Sequence, residues 1–185
     1  MRLPDAFQIE PVRSRADLDA VGRLFGAYAA ALGVDLAFQG FEGELAGLPG
    51  RYAPPAGALL LARCGEGRPA GCVALRPIAP EGCCEMKRLY VVPGARGHGL
   101  GRRLVEAVIR AAIAAGHREM RLDTLPSMRG AARLYEQAGF VPIAPYYETP
   151  LAGTLFLSRP LLALSGAQPA AAPPTLQADE NKYRT

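Results

Sequence analysis

From Glu85 to Leu104 the chain reads Glu-Met-Lys-Arg-Leu-Tyr-Val-Val-Pro-Gly-Ala-Arg-Gly-His-Gly-Leu-Gly-Arg-Arg-Leu. An extended apolar run passes through a glycine-rich turn and opens directly into a helix. Leu100, Leu104, Val108, Ala111 and Ala115 recur at helical spacing, and Gly116 supplies the stop. A strand that feeds a helix in this way restricts the fold to the α/β class. It also creates a site. The first amides of a helix have no intrahelical partner and the helix dipole favours an anion there, while glycines let that anion come close. Arg96, Arg102 and Arg103 flank the turn, so a diphosphate would suit it. A Walker A loop is excluded because Gly101 is followed by Arg102-Arg103, and the spacing of Gly97, Gly99 and Gly101 does not fit Gly-x-Gly-x-x-Gly.

The rest of the chain supplies partners for this junction. Ser14-x-x-Asp17 has the form of a capping box, and Leu18, Val21, Leu24, Phe25, Tyr28 and Leu32 follow at helical spacing up to Gly33. Residues 35–48 form a weaker helical stretch broken by Gly40, Gly43 and Gly47. Ala58–Arg63 and Ala70–Ile78 read as a hairpin around Gly65–Pro69, and a third strand runs over Cys83–Val92. A strand at 118–125, a helix at Met128–Ala138 ended by Gly139, and strands at Phe140–Ile143 and Thr154–Arg159 complete the pattern. The order β-α-α-β-β-β-α-β-α-β-β predicts an α/β fold with a mixed sheet. Residues 1–164 are expected to form one domain. Residues 165–185, rich in Ala, Pro and Gln, are expected to be a flexible tail.

Composition removes other classes. At 185 residues, half of them hydrophobic, the chain can bury a core. The net charge of +4 is concentrated in residues 76–133, with 11 basic and 5 acidic side chains. Lys87, Arg88, Arg96, Arg102 and Arg103 therefore suggest a small polyanionic ligand. A nucleic-acid partner is not expected, since interleaved aromatics and a helix-turn-helix signal are missing. No apolar run reaches the ~18–20 residues of a membrane span, and no secretory signal is visible at Met1–Glu10. Cytoplasmic residence is the expectation. The four cysteines lack Cys-x-x-Cys spacing, so neither a disulfide framework nor a metal site is expected. Adjacent Cys83 and Cys84 must face opposite sides of a strand and read as small hydrophobes. His98 has a backbone role in the loop, and His117 reads as a helix-end cation.

With these residues in view, the chain resembles the GNAT superfamily of acetyl-CoA-dependent N-acetyltransferases. The match is to Glu-x-Lys-Arg-Leu-x-Val-x-Pro-x-x-Arg-Gly-x-Gly-x-Gly-x-x-Leu from Glu85 to Leu104. A second match is Ala131-Ala-Arg-Leu-Tyr135-Glu-Gln-Ala-Gly139-Phe140. The resemblance implies a mostly antiparallel central sheet flanked by helices, with two strands splayed at the cofactor site. It implies that the amides of Arg96, Gly97, His98, Gly99, Leu100 and Gly101, with Arg102 nearby, hold the pyrophosphate of acetyl-CoA. Main-chain groups of Leu89 and Val91 would bind the pantetheine arm and acetyl carbonyl. Tyr135 would protonate the leaving thiolate. An Asn often found seven residues before that tyrosine is replaced by Met128.

Glu85 is the candidate base. A carboxylate near pKa 4 needs burial or a water relay to deprotonate an ammonium near 10. Glu148 is the second candidate, and Tyr146, Tyr147 and Glu148 would line the acceptor pocket. Direct attack by a small-molecule or peptide amine in a ternary complex is expected, since no cysteine is placed as a nucleophile. The alternative is a non-catalytic acyl-CoA-binding sensor or interaction module on the same fold. The identity of the amine and the oligomeric state, a homodimer included, stay open.

Overall fold

Ser14 starts the first helix as its spacing predicts. In the computed structural model, which describes residues 7–161, Ser14 Oγ accepts from the Asp17 amide at 3.1 Å and Asp17 Oδ2 accepts from the Ser14 amide at 3.1 Å. This reciprocal box satisfies donors that the helix itself leaves free. Helix α1 (Arg15–Leu32) follows and stops at Gly33, whose φ of 68° suits glycine. It buries Ala20, Val21, Leu24 and Phe25.

The seven strands are β1 (Gln8–Pro11), β2 (Ala58–Arg63), β3 (Pro69–Ile78), β4 (Cys83–Val91), β5 (Glu119–Thr124), β6 (Val141–Pro142) and β7 (Leu155–Pro160). They form one sheet in the order β1-β2-β3-β4-β5-β7-β6. Every neighbouring pair is antiparallel except β4–β5. The sheet is therefore mixed and mostly antiparallel, as expected. Side chains alternate between its faces. Leu59, Leu61, Cys72, Ala74 and Tyr90 pack with α1, while Leu60, Val73, Leu75, Met86, Met120 and Leu122 pack on the opposite side. Helix α3 (Leu100–Ala114) covers that second side with Leu100, Leu104, Val105, Val108 and Ile109. Each such side chain, fully buried, contributes about 1.5–3 kcal/mol of apolar transfer energy. Helix α4 (Arg129–Gln137) joins the same core through Tyr135.

The structure departs from the sequence reading at several points. Residues 35–48 hold only a 3-10 turn at Ala37–Gln39 and the six-residue helix α2 (Phe41–Ala46), because their glycines keep interrupting the run. The strand expected at Phe140–Ile143 shortens to two residues, since Pro142 has no amide to offer the ladder. His117, read as a helix-end cation, has a backbone partner. Its Nε2–H donates to the Ala56 carbonyl at 2.8 Å. All four cysteines are buried and free, in keeping with their reading as hydrophobes. Among the described residues no helix is long and apolar enough to cross a membrane. The expected tail, 165–185, lies outside the described residues.

Candidate active site

The site begins with a misfit between strands. β4 and β5 pair across Cys83↔Glu119, Cys84↔Met120 and Glu85↔Arg121, and then pairing ends. On the other edge of β4 the register with β3 shifts between Cys72↔Tyr90 and Ala74↔Lys87, so one extra residue is inserted on β4. Arg88 sits at this bulge with φ 57°, the left-handed region that costs an L-residue about 1–2 kcal/mol. A bulge bends its strand and increases its twist, which turns the end of β4 away from β5 and leaves that edge without a strand neighbour.

A buried ion pair holds Arg88 in place. Its Nε and Nη2 donate to Glu44 Oε1 and Oε2 at 2.9 and 2.7 Å, and the Tyr52 hydroxyl adds a bond to Oε1 at 2.8 Å. Burial opposes the charge on Glu44, yet the Arg88 guanidinium keeps its carboxyl below the usual range. Arg88 also stacks 5.1 Å from the Phe41 ring and 5.7 Å from the Tyr28 ring. The short helix α2 is thereby fastened to the bulge.

The gap between the strands is a cleft lined by Tyr28, Lys87, Leu89, Asp123, Met128 and Tyr135. It is narrow at this inner end, about 30 Å³, and widens past Leu89, Val91, Arg96, Met128 and Arg129 to about 660 Å³. The wide end reaches Arg96, which precedes the turn into α3. There Gly97 and Gly99 have φ of 81° and 73°, and the first helical bond runs from the Arg103 amide to the Gly99 carbonyl at 3.2 Å. The amides from Gly97 to Arg102 have no backbone acceptor among the described residues. This run of free donors, with open space where a Cβ would stand at Gly97 and Gly99, fits the diphosphate of coenzyme A.

Several expectations for the basic residues change. The Arg96 amide is used by the Pro93 carbonyl at 3.2 Å, so the run of free amides starts one residue later, at Gly97. The Arg96 side chain donates to the Val91 carbonyl at 3.0 Å, which engages a group expected to meet pantetheine. His98 donates from Nδ1 to the Arg96 carbonyl at 2.8 Å and serves the loop's shape. Arg102 is at the surface beside Glu106, 3.7 Å away, and Arg103 donates to the Phe7 carbonyl at 2.6 Å. Lys87 and Arg88 are buried and paired. Neither is open to a polyanion.

Glu85 is 1% exposed. Its Oε2 accepts from Arg76 Nε and Nη2 at 2.7 and 2.6 Å, and its Oε1 accepts from the Tyr146 hydroxyl at 2.8 Å. Its neighbour in register, Arg76, is the partner, while Arg121 pairs with Glu119 instead at 2.7 Å. Lys87 Nζ lies 4.0 Å from Glu85 and 2.9 Å from Asp123 Oδ1. Tyr146, Tyr147 and Phe156 pack edge to face with centroids 5.1–5.3 Å apart. Burial first, then the Glu85 carboxylate, drives the Tyr146 phenol far above its ordinary value. Burial does the same to Tyr147, whose hydroxyl lies beside Asp123 without a hydrogen bond. Glu148 is exposed and lines no part of the cleft.

Tyr135 comes from the opposite side. It is 6% exposed, lines the narrow end, and stacks edge to face on Phe140 at 6.0 Å. Burial raises its phenol above the ordinary value, so its oxygen keeps its proton at neutral pH. Met128 stands at the junction of the narrow and wide ends. Sequence reasoning passed over Glu44, Arg76 and Asp123. The alternation Arg121-x-Asp123 beside Glu85-x-Lys87 was the signal available, because residues two apart share a sheet face.

The profile of the Acetyltransferase (GNAT) family matches residues 34–140. The chain is 41% identical over 157 residues to an uncharacterized N-acetyltransferase of Schizosaccharomyces pombe, covering 85% of this chain and 96% of that one. Among solved structures it resembles a Klebsiella pneumoniae chain considered an acyl-CoA N-acyltransferase, with TM-score 0.63, 26% identity, and 86% and 100% of the two chains covered. An acetyltransferase of GNAT family from Staphylococcus aureus shares the fold at TM-score 0.71 and 19% identity, over 85% of this chain and all of that one (100%).

Proposed function

The chain belongs to the acetyltransferase (GNAT) family and is an N-acetyltransferase that uses an acyl-CoA donor and an amine acceptor, and on that premise we propose that it moves an acetyl group from acetyl-CoA to a primary amine of a small molecule or peptide by direct attack in a ternary complex. The observation that carries this reading is a strand gap that widens as far as Arg96, one residue before the run of free amides at the start of α3. Acetyl-CoA supplies the activated thioester. The amides of Gly97, His98, Gly99, Leu100, Gly101 and Arg102 hold its diphosphate, and the backbone of Leu89 and Val91 follows its pantetheine arm. Tyr135 gives its proton to the departing thiolate, which matches a phenol in basicity.

The carboxylate of Glu85 takes no proton directly, since Arg76 and Tyr146 occupy it. It acts through Tyr146, whose oxygen accepts the amine's proton as its own passes to Oε1. Tyr146 and Tyr147 form the acceptor side, and Glu148 remains at its surface. Release of coenzyme A thiol from acetyl-CoA across a panel of primary amines tests the reading, with calorimetry of coenzyme A beside it. Micromolar binding and amine-dependent release are expected. Folded protein that neither binds at millimolar coenzyme A nor releases thiol overturns it.

A further inference from the structure

Glu85↔Arg121 is the last paired position of β4 and β5. Had pairing continued, Lys87 and Asp123 would have been the next pair on that face. The strands have parted there, and the two side chains reach across the gap at 2.9 Å. Lys87 engages Oδ1 of Asp123, and no side chain among the described residues hydrogen-bonds Oδ2. Gln39 lines the same cleft, and its buried Oε1 has no partner either. The narrow end therefore presents two unbonded acceptors, with the Tyr147 hydroxyl, itself without a hydrogen bond, beside Asp123.

The cations around it are already matched. Arg88 is held by both oxygens of Glu44, Arg76 by Glu85, and Lys87 by Asp123. A ligand carboxylate entering the narrow end meets Asp123 and, among the described residues, only paired cations, the unpaired Arg129 lying at the wide end. A primary ammonium brings three N–H donors to a carboxylate and a carbonyl that lack them. Tyr28 and Tyr135 line the same space. Leu32, Leu89 and Leu125 leave an apolar path for a carbon chain.

Resting on the function proposed above, we infer that Asp123 receives the ammonium of the acceptor, and that the acceptor is a primary alkylamine or arylalkylamine with no carboxylate on the carbon bearing its nitrogen. The residue binds and orients the nitrogen for attack. The proton leaves by the Tyr146–Glu85 route.

Matched amines test the class. Thiol release is compared for pentylamine against norleucine and for 2-phenylethylamine against phenylalanine, each pair differing only by the carboxylate. The amines are expected to exceed the amino acids at least 100-fold in kcat/KM, and values within tenfold overturn the assignment. Paired variants test the residue. Asp123→Asn is expected to raise the amine KM at least 30-fold with unchanged affinity for coenzyme A, whereas Lys87→Met lowers the amine KM by freeing Oδ1 and removing a like charge. Both substitutions break the same ion pair, so equal increases in KM would make the pair merely structural and end the proposal.

Should Asp123→Asn fail to fold, the double variant Lys87→Met/Asp123→Asn, which removes both charges together, takes its place with the same expected rise. Calorimetry of pentylamine on the coenzyme A complex separates the two readings. Binding that depends on Asp123 without any thiol release keeps this assignment and removes the reaction. Neither binding nor turnover with any amine overturns both.

Discussion

At the scale of single residues, the chemistry depends on which polar groups keep a free atom. Tyr135 has its hydroxyl in the cleft and its ring in the core, so Tyr135→Phe removes one oxygen and little packing. Its kcat is expected to fall about 100-fold, the lower end of general-acid contributions, with affinity for acetyl-CoA unchanged. Stopped-flow thiol release and calorimetry check the two halves. The sequence identified this tyrosine because its place before Gly139-Phe140 is a local pattern. It also pointed to Glu85, but a carboxylate's usefulness depends on its neighbours. Arg76 comes from β3 and Tyr146 from a connection 61 residues away, and only the folded chain brings them together. Asp123 was visible merely as the polar half of an alternating strand.

At the scale of elements, local signals were legible where they rest on backbone chemistry. The capping box of α1 and the free amides of α3 both follow from what a helix end lacks. Asp17 is the sharper case for acid stability. The Arg63 guanidinium, 2.6 Å away, and the Ser14 donors hold its carboxyl well below the usual carboxylate range. Its folded value lies under its unfolded one, so its contribution is present above about pH 4 and is lost as pH falls toward the folded value. Asp17→Asn is expected to lower Tm at pH 7, and the difference from the unsubstituted protein should shrink below pH 4 in thermal scans. For α3, Gly99→Val meets no neighbour yet forces a β-branched residue to φ 73°. Coenzyme A affinity is expected to fall at least tenfold by calorimetry, with the sheet's circular dichroism retained. The bulge at Arg88 was not legible. A left-handed strand position normally advertises itself as glycine, and here an arginine fixed by Glu44 occupies it.

At the scale of the whole molecule, the mixed and mostly antiparallel pairing followed from element order and resemblance, while the strand order came from the structure. The opening between β4 and β5 was implied by the resemblance, but the bulge at Arg88 and its contact with α2 needed the folded chain. Leu161 is buried and its amide donates to the Arg118 carbonyl at 2.7 Å, while composition makes residues 165–185 an expected tail. A chain ending at residue 164 is therefore expected to keep its Tm within about 4 °C, a shift that corresponds to roughly 1 kcal/mol or more in a domain of this size. Differential scanning calorimetry and amine turnover check it. The parted strands have a further consequence for heredity. Peptide groups are common to nearly every residue, so a donor pocket lined by main chain tolerates codon changes in the segment that forms it wherever no positive φ is needed, Gly97 and Gly99 being the exceptions. The acceptor end, built from side chains, has no such protection. Descendants of this gene can exchange one amine for another while inheriting the same acyl supplier.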